Sequence, residues 1–281
     1  MDDREAATEH LAVLGSPIAH SKSPAIHAAA YRELGLAWSY GREELRADRL
    51  DDFLGDHLRG WRGFSLTMPL KEEAYRLAAI LDPVAEESGV VNTLLRLDSE
   101  AQQWAGFNTD VAGLAAAVRG CDLDASRTVV LGAGATAVSA VLAARSLGAA
   151  RITVAARRAE AARALADRFD AEAAVLGAPE AARLPREATL VISTLPGTAG
   201  AEAQLPVGLT AVPLFDVAYD PWPSPLAARW RASGGAAHAG VAMLIEQALL
   251  QIRIFVNGDP NRPLEGEERV LAAMRSAART P

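Results

Sequence analysis

Thr128-Val-Val-Leu-Gly132-Ala-Gly134-Ala-Thr-Ala137 decides the fold. Four residues of strand character run into a turn with two glycines, and an alanine-rich helical pattern follows. This is G-x-G-x-x-A at the opening of a β-α-β unit. In such a unit the first glycine permits the tight turn, the second lets the backbone approach a pyrophosphate, and a small residue such as Ala137 keeps helix and strand close. The helix start, from Ala135, offers unpaired N–H groups and the positive end of its dipole to phosphates.

The next strand, 151–155, selects the nucleotide. A chain that holds an unphosphorylated ribose places Asp or Glu at the end of this strand. Here the end reads Ala156-Arg157-Arg158 with no acid. Two guanidinium groups suit a 2′-phosphate, which they bind by charge-assisted, often bidentate, hydrogen bonds. As a merely solvated helix start the pair would be odd, because cations there oppose the dipole. NADP(H) is therefore expected over NAD.

Outward from this unit, strands at 128–131, 151–155, 173–176, 190–193 and 212–217 alternate with helices at 136–147 and 159–169. Such alternation implies a parallel sheet covered by helices on both faces. The last fifth reads as helical, at 226–232, 241–256 and 267–278. Toward the N-terminus, 11–14 reads as a strand ending at Gly15. A helix then runs from Pro24 to Gly35, with proline and glycine as its punctuation. Further expectations are a strand at 37–40, an amphipathic helix at 45–58, a strand at 64–66 leading into a helix at 70–79, and a hairpin of 90–97 with 103–107.

The 281 residues suffice for one large domain or two medium ones, and half are hydrophobic. No apolar run reaches the roughly 18–20 residues that span a bilayer, and residues 1–10 are acidic and polar. A secretory leader is not expected, and the cytoplasm is. A lone Cys121 excludes an internal disulfide. The net charge of −7 excludes a general nucleic-acid binder, though not a small anionic substrate in a local basic pocket. His10, His57 and His238 lack metal-ligand spacing, His20 and His27 read as structural, and no metal site is expected. The five tryptophans, Trp222 and Trp230 among them, read as packing residues. Arginine outnumbers lysine 26 to 2. In a chain so inclined to arginine, Lys22 and Lys71 mark places where a cation able to release its proton has been kept, and both lie in the densest polar motifs.

Those motifs are Gly15-Ser-Pro-Ile-Ala-His-Ser21-Lys22-Ser23-Pro24, Phe64-Ser-Leu-Thr67-Met-Pro69-Leu-Lys71, Val91-Asn92-Thr93 and Gly106-Phe-Asn108-Thr109-Asp110. They are polar residues at strand ends and turns, where ligands bind in α/β folds. Ser21 or Ser23 could equally cap the following helix. With Gly132–Ala137, the segment from Asp216 to Leu226 (D-V-x-Y-x-P-x-x-S-P-L) and that from Gly240 to Ala248 (G-x-x-M-L-x-x-Q-A), the chain resembles the shikimate dehydrogenase family over nearly its whole length.

The resemblance implies an α/β fold of two domains. An N-terminal α/β substrate-binding and catalytic domain would take residues 1–110 plus 241–281, and a Rossmann-like, doubly wound NADP-binding domain residues 111–240. The helix from Val241 would return the chain to the first domain and carry Gln247 with it. The implied activity is the NADPH-dependent, reversible reduction of 3-dehydroshikimate to shikimate, a step of the shikimate pathway toward chorismate and the aromatic amino acids. Lys71 and Asp110 match the catalytic pair. Ser21, Ser23, Thr67, Asn92, Tyr219 and Gln247 match substrate contacts. Gly132, Gly134, Ala135, Ala137, Arg157, Arg158, Thr194, Val217, Gly240 and Met243 fall at cofactor positions. The residue types agree: hydride transfer to a ketone leaves an oxyanion that needs a proton. A lysine beside a carboxylate supplies charge and proton, where arginine would supply charge alone.

The chain departs from the family in having Ala156 before the phosphate-binding arginine, Arg158 after it, Ser193-Thr194-Leu195-Pro196 for N-A-T-P, and Val256-Asn257-Gly258 for W-T-G. These changes bear on cofactor affinity rather than on reaction type. The expected partner is a small molecule, with no nucleic acid and no membrane, and the expected state is a monomer or homodimer. A quinate or quinate/shikimate dehydrogenase and a non-catalytic ligand sensor on the same scaffold are the competing readings. A folate one-carbon dehydrogenase is disfavoured by the paired serines and by the Asp216–Leu226 segment.

Overall fold

Leu11 to Gly15 are buried in succession, the signature of a strand covered on both faces. The computed structural model describes residues 9–56, 60–97 and 103–279, save the side chains of residues 180, 185 and 198. In chain order it begins β1 (His10–Gly15), α1 (Ser23–Glu33), β2 (Ser39–Glu44), α2 (Leu50–Asp56), β3 (Trp61–Leu66), α3 (Lys71–Leu77), β4 (Ile80–Leu81), α4 (Pro83–Ser88), β5 (Thr93–Arg96) and β6 (Trp104–Phe107). These strands form one mixed sheet in the order β2-β1-β3-β5-β6-β4. β1 lies parallel to β2 and β3, and β5 pairs antiparallel with β3 and β6.

The chain continues with α5 (Asp110–Gly120), β7 (Arg127–Leu131), α6 (Ala135–Ser146), β8 (Arg151–Ala156), α7 (Ala159–Arg168), β9 (Glu172–Val175), α8 (Leu184–Glu187), β10 (Leu190–Ser193), α9 (Gly197–Glu202), β11 (Leu214–Asp216), α10 (Pro225–Ala232) and β12 (Ala237–Ala239). The second sheet is β12-β11-β10-β7-β8-β9, parallel throughout. Counted from β7, that is the doubly wound order 3-2-1-4-5-6, whose direction reverses between β7 and β10. The helices α11 (Val241–Asn257) and α12 (Glu267–Arg279) close the chain. Two compact units result. One runs to Thr109 and resumes at Leu244; the other is Asp110–Met243.

In the first unit Leu14, Phe64, Leu66, Leu70 and Leu94 form the core on one side of the sheet. Gly63 admits α11: a Cβ there would come within 2.5 Å of the Leu94 carbonyl and 2.6 Å of the Phe255 ring. His27 is fully buried, stacked on Tyr40 at 3.9 Å between ring centres, with its Nδ1 3.1 Å from the Tyr31 hydroxyl. Burial drives its pKa down to about 3, opposed in part by the Gln251 side chain. It is a neutral packing residue. Trp230 is fully buried in the second unit and donates to the Val212 carbonyl at 2.8 Å, while Trp222 packs under Arg231.

Several local expectations are corrected. The second strand is Ser39–Glu44 rather than 37–40. It is an edge strand with an almost wholly exposed S-Y-G-R-E-E sequence, so it carries no apolar alternation to read. The 45–58 helix is a 3-10 turn, Ala47–Arg49, followed by α2; its last two residues, His57 and Leu58, lie outside the described residues. α4 follows standard signals, with Asp82 accepting from the Ala85 N–H, proline at the first turn and Gly89 at φ 64°, yet it and β4 are too short to show periodicity. The same holds for α8, α9 and β12.

Arg253 of α11 and Glu267 of α12 form a bidentate pair at 2.7 and 2.5 Å. The guanidinium holds the Glu267 carboxyl below its ordinary value of 4.5. Since the folded-state pKa is depressed, the pair's stabilisation is present above that value and is lost as pH falls through the lower, folded one. Glu267→Gln should therefore cost about 1 kcal/mol at pH 7. Melting temperatures of the two proteins should converge as pH falls below the ordinary glutamate value.

Candidate active site

In the second unit, five of the six strands, all but β9, are followed on one edge of the parallel sheet by an expected cofactor residue. Gly132 follows β7 at φ 117°, and its N–H donates to the Ala155 carbonyl at 3.0 Å. A Cβ on Gly132 would strike the Thr194 hydroxyl. Thr194 follows β10 and doubly bonds the Leu131 carbonyl, through its backbone N–H and its Oγ1, both at 2.9 Å. Gly132 and Thr194 thus sit side by side at the reversal of strand order, the position where open α/β sheets hold ligands. Gly134 is extended and precedes α6, which no side chain caps. A Cβ on Gly134 would meet nothing within 4 Å, so protein leaves the approach to the Ala135 end of the helix open. Ala137, one turn on, is fully buried. These features fit a dinucleotide diphosphate.

Arg157 and Arg158 are exposed just past β8. Val217 follows β11, and its N–H donates to the Ser193 carbonyl at 3.0 Å. Gly240 follows β12 and donates to the Ala218 carbonyl at 3.0 Å; a Cβ on it would fall into the Val217 carbonyl. Gly240→Ala should thus push β12 from β11 and cost about 2 kcal/mol, read as a lowered melting temperature, with weakened NADP(H) binding because Val217 moves with it. Met243 is buried in the first turn of α11, and Tyr219 is half-buried three residues past β11.

The Ser193 position acquires a role that the sequence did not suggest. Ser193 is fully buried, as is Asp216 beside it. The Ser224 hydroxyl donates to Asp216 Oδ2 at 2.5 Å and the Ala218 N–H to Oδ1 at 3.2 Å. Burial raises the Asp216 pKa, opposed by Ser224, Ala218 and the Ser193 hydroxyl. Ser224 in turn caps α10 by accepting from Ala227. Asp216, Ser193 and Ser224 form a clasp that fixes the chain leaving β11, where Val217 and Tyr219 lie.

In the first unit the substrate candidates gather on the edge formed by the carboxyl ends of β1, β3 and β6 and the amino end of β5. The Thr67 N–H donates to the Leu14 carbonyl, and the Ser16 N–H to that of Met68, both at 2.9 Å. These bonds tie the loops after β1 and β3 together. Ser21 and Ser23 are buried. The residue before α1 is Lys22 and no side chain caps the helix, although Ser21 Oγ accepts from the Ser23 N–H at 3.3 Å. Lys22 donates to the Ala278 carbonyl of α12 at 3.3 Å, a packing role for one of the two lysines. Lys71 opens α3 and is buried. A buried cation at a helix N-terminus opposes the dipole and loses its hydration. Asp110, the first residue of the second unit, is buried at the head of α5, where a carboxylate suits the dipole.

Asn92 is the node of this edge. Its Nδ2 donates to Thr109 Oγ1 at 2.9 Å and to Gln247 Oε1 at 3.4 Å, and its Oδ1 accepts from the Thr109 N–H at 2.9 Å. Asn92 and Gln247, distant in sequence, are joined directly and also through Thr109, whose Oγ1 donates to Gln247 Oε1 at 3.5 Å and which is absent from the expected site. Its signal was its place between Asn108 and Asp110. Asn108 bonds both ends of α4: its Nδ2 donates to Ser88 Oγ at 2.9 Å and its N–H to Asp82 Oδ1 at 3.2 Å. Gln251 was also missed, though a second glutamine four residues after Gln247 on an apolar helix marks a buried polar side chain. Among the described residues no cluster of His, Cys, Asp or Glu suits a metal ion, and no helix is long and apolar enough to cross a membrane.

A parallel unit of this design, joined to one that gathers a buried lysine and amide side chains at a single edge, defines a two-unit α/β oxidoreductase of the dinucleotide-binding class. The chain belongs to the shikimate dehydrogenase family. The family model for the shikimate dehydrogenase substrate binding domain matches residues 13–94, and that for shikimate / quinate 5-dehydrogenase matches residues 114–200. The NADP(+) shikimate dehydrogenase of Syntrophobacter fumaroxidans is 33% identical over 279 residues, covering 96% of this chain and 93% of that protein. The shikimate dehydrogenase structure from Mycobacterium tuberculosis is 36% identical with a TM-score of 0.82, covering 95% of this chain and 99% of that one. A Thermus thermophilus shikimate 5-dehydrogenase, solved in complex with NADP(H) and shikimate, is 31% identical with a TM-score of 0.80, covering 96% and 100%.

Proposed function

We propose that the protein reversibly reduces 3-dehydroshikimate to shikimate with NADPH. The observation that carries this reading is the buried Lys71 at the head of α3, on the same sheet edge as the Asn92–Thr109–Gln247 node. When bound, the reduced nicotinamide supplies a hydride to the carbonyl carbon. The protein's own residues do the rest. Lys71 lends positive charge to the oxygen as it gains electrons, then gives it a proton. Asp110 serves as the lysine's carboxylate partner. Ser21 and Ser23 take the substrate carboxylate with Tyr219 near it, while Thr67, Asn92 and Gln247 bind its ring hydroxyls or carboxylate. Gly132, Gly134, Ala135 and Ala137 cradle the diphosphate, Arg157 and Arg158 hold the 2′-phosphate, and Thr194, Val217, Gly240 and Met243 line the path to the nicotinamide. The assembly works as a monomer or homodimer in the cytoplasm.

The test is absorbance at the reduced-nicotinamide band, with shikimate or quinate paired with NADP⁺ or NAD⁺. Turnover of shikimate with NADP⁺ well above the other pairs is expected. The description of the second matched family model includes quinate, and a preference for quinate with NAD⁺ would replace this reading. Binding of NADPH without turnover of either acid would favour a ligand sensor.

A further inference from the structure

Behind Asn92 runs a buried line of side chains that no step above uses. The Tyr40 hydroxyl donates to Ser65 Oγ at 2.6 Å, and Ser65 donates to Gln251 Oε1 at 2.9 Å. Gln251 Nε2 donates to the Asn92 backbone carbonyl at 3.3 Å and to Thr93 Oγ1 at 3.1 Å. The Thr93 hydroxyl donates in turn to Asn92 Oδ1 at 2.9 Å. Beyond Asn92 the same sense continues, from Asn92 Nδ2 to Gln247 Oε1 and from Gln247 Nε2 to the Leu244 carbonyl at 2.8 Å. Ser65, Asn92, Thr93, Gln247 and Gln251 are all buried.

Backbone groups fix the direction of this line. A carbonyl only accepts, so the bond to Asn92 O forces Gln251 to turn its NH₂ toward β5 and its oxygen toward Ser65. A backbone N–H only donates, so Thr109 forces Asn92 to turn its oxygen toward Thr109 and Thr93. Each hydroxyl between these anchors has one proton and one orientation left. Chains of this kind polarise and stiffen their members.

We propose that Thr93 and Gln251 are positioning residues. They lock the Asn92 side-chain amide so that its NH₂ faces Thr109 and Gln247, and thereby set the hydrogen-bond sense of the edge that a hydroxylated ring meets. The substrate part rests on the reading of Asn92 as a substrate contact; the ordering of Asn92 does not. Thr93→Val removes the hydroxyl at nearly constant volume and Thr93→Ser retains it. Gln251→Leu removes both of that residue's roles.

Thr93→Val and Gln251→Leu should raise KM for shikimate about tenfold while leaving KM for NADP⁺ within about twofold; Thr93→Ser should restore most of the loss. In the ligand-free protein, hydrogen exchange of the Asn92 side-chain NH₂, followed by NMR, should quicken about tenfold in Thr93→Val and recover in Thr93→Ser. Unchanged exchange in a folded Thr93→Val protein would overturn the inference. So would KM values for both reactants rising together with a fall in melting temperature, which would mark a merely structural threonine. If the wild type turns over no shikimate, the functional reading fails, and the exchange rates alone decide whether the line orders Asn92.

Discussion

Lys71→Met should lower kcat/KM for shikimate about a thousandfold. Lys71 is buried at the first residue of α3, where an ammonium gains nothing from the helix dipole and loses hydration. Methionine matches its length while removing both its charge and its proton, so a folded variant isolates the chemistry. Lys71→Arg sharpens the test. Arginine keeps the charge that steadies an oxyanion but does not release its proton at any working pH, so it should recover less than about a tenth of the lost rate. Initial rates, melting temperatures and NADPH affinity by fluorescence check all three. Activity within tenfold of the wild type in Lys71→Met would remove the lysine from the proton-transfer step.

The glycine turn and its flanking strand and helix were legible because each constraint there is local. Gly132 needs φ 117°, Ala137 needs to be small, and the sequence states both outright. The parallel sheet was legible for the same reason, since strands such as Leu190–Ser193 are buried along their whole length and read as unbroken apolar runs. β2 was misplaced because an exposed edge strand is held by backbone pairing to β1, and that leaves no mark in its side chains. The site was half legible. Its polar residues stand at strand ends that the sequence marks with turns. What it hid was which of them touch. Thr109 bridging Asn92 and Gln247, Gln251 reaching Thr93, and Ser193 serving Asp216 rather than a ligand all depend on strand order, and no spacing along the chain encodes that. Lys22 shows the converse. It shared the rarity and the dense polar setting of Lys71, and the fold spends it on the carboxyl end of α12.

The double change Arg157→Ala, Arg158→Ala should raise KM for NADP⁺ about a hundredfold and leave that for NAD⁺ nearly untouched. Each guanidinium hydrogen bond to a phosphate contributes about 1.5–3 kcal/mol when well formed. Both side chains are exposed, which puts each contribution at the lower end, about 1.5 kcal/mol, and two such losses give the factor stated. The protein alone gives no reason for the pair. Among the described residues neither has a carboxylate partner, and they stand at the start of α7, which no side chain caps and where the dipole disfavours cations. Removing them should leave the melting temperature of the ligand-free protein unchanged or slightly raised. The single variants divide the effect. Arg157, the first residue past β8 and so nearer the Gly132 turn that bonds Ala155, should carry the larger share. Should NADP⁺ and NAD⁺ weaken alike, the arginines would be holding the diphosphate common to both, and the preference for the phosphorylated cofactor would have to arise elsewhere on the carboxyl edge of the sheet.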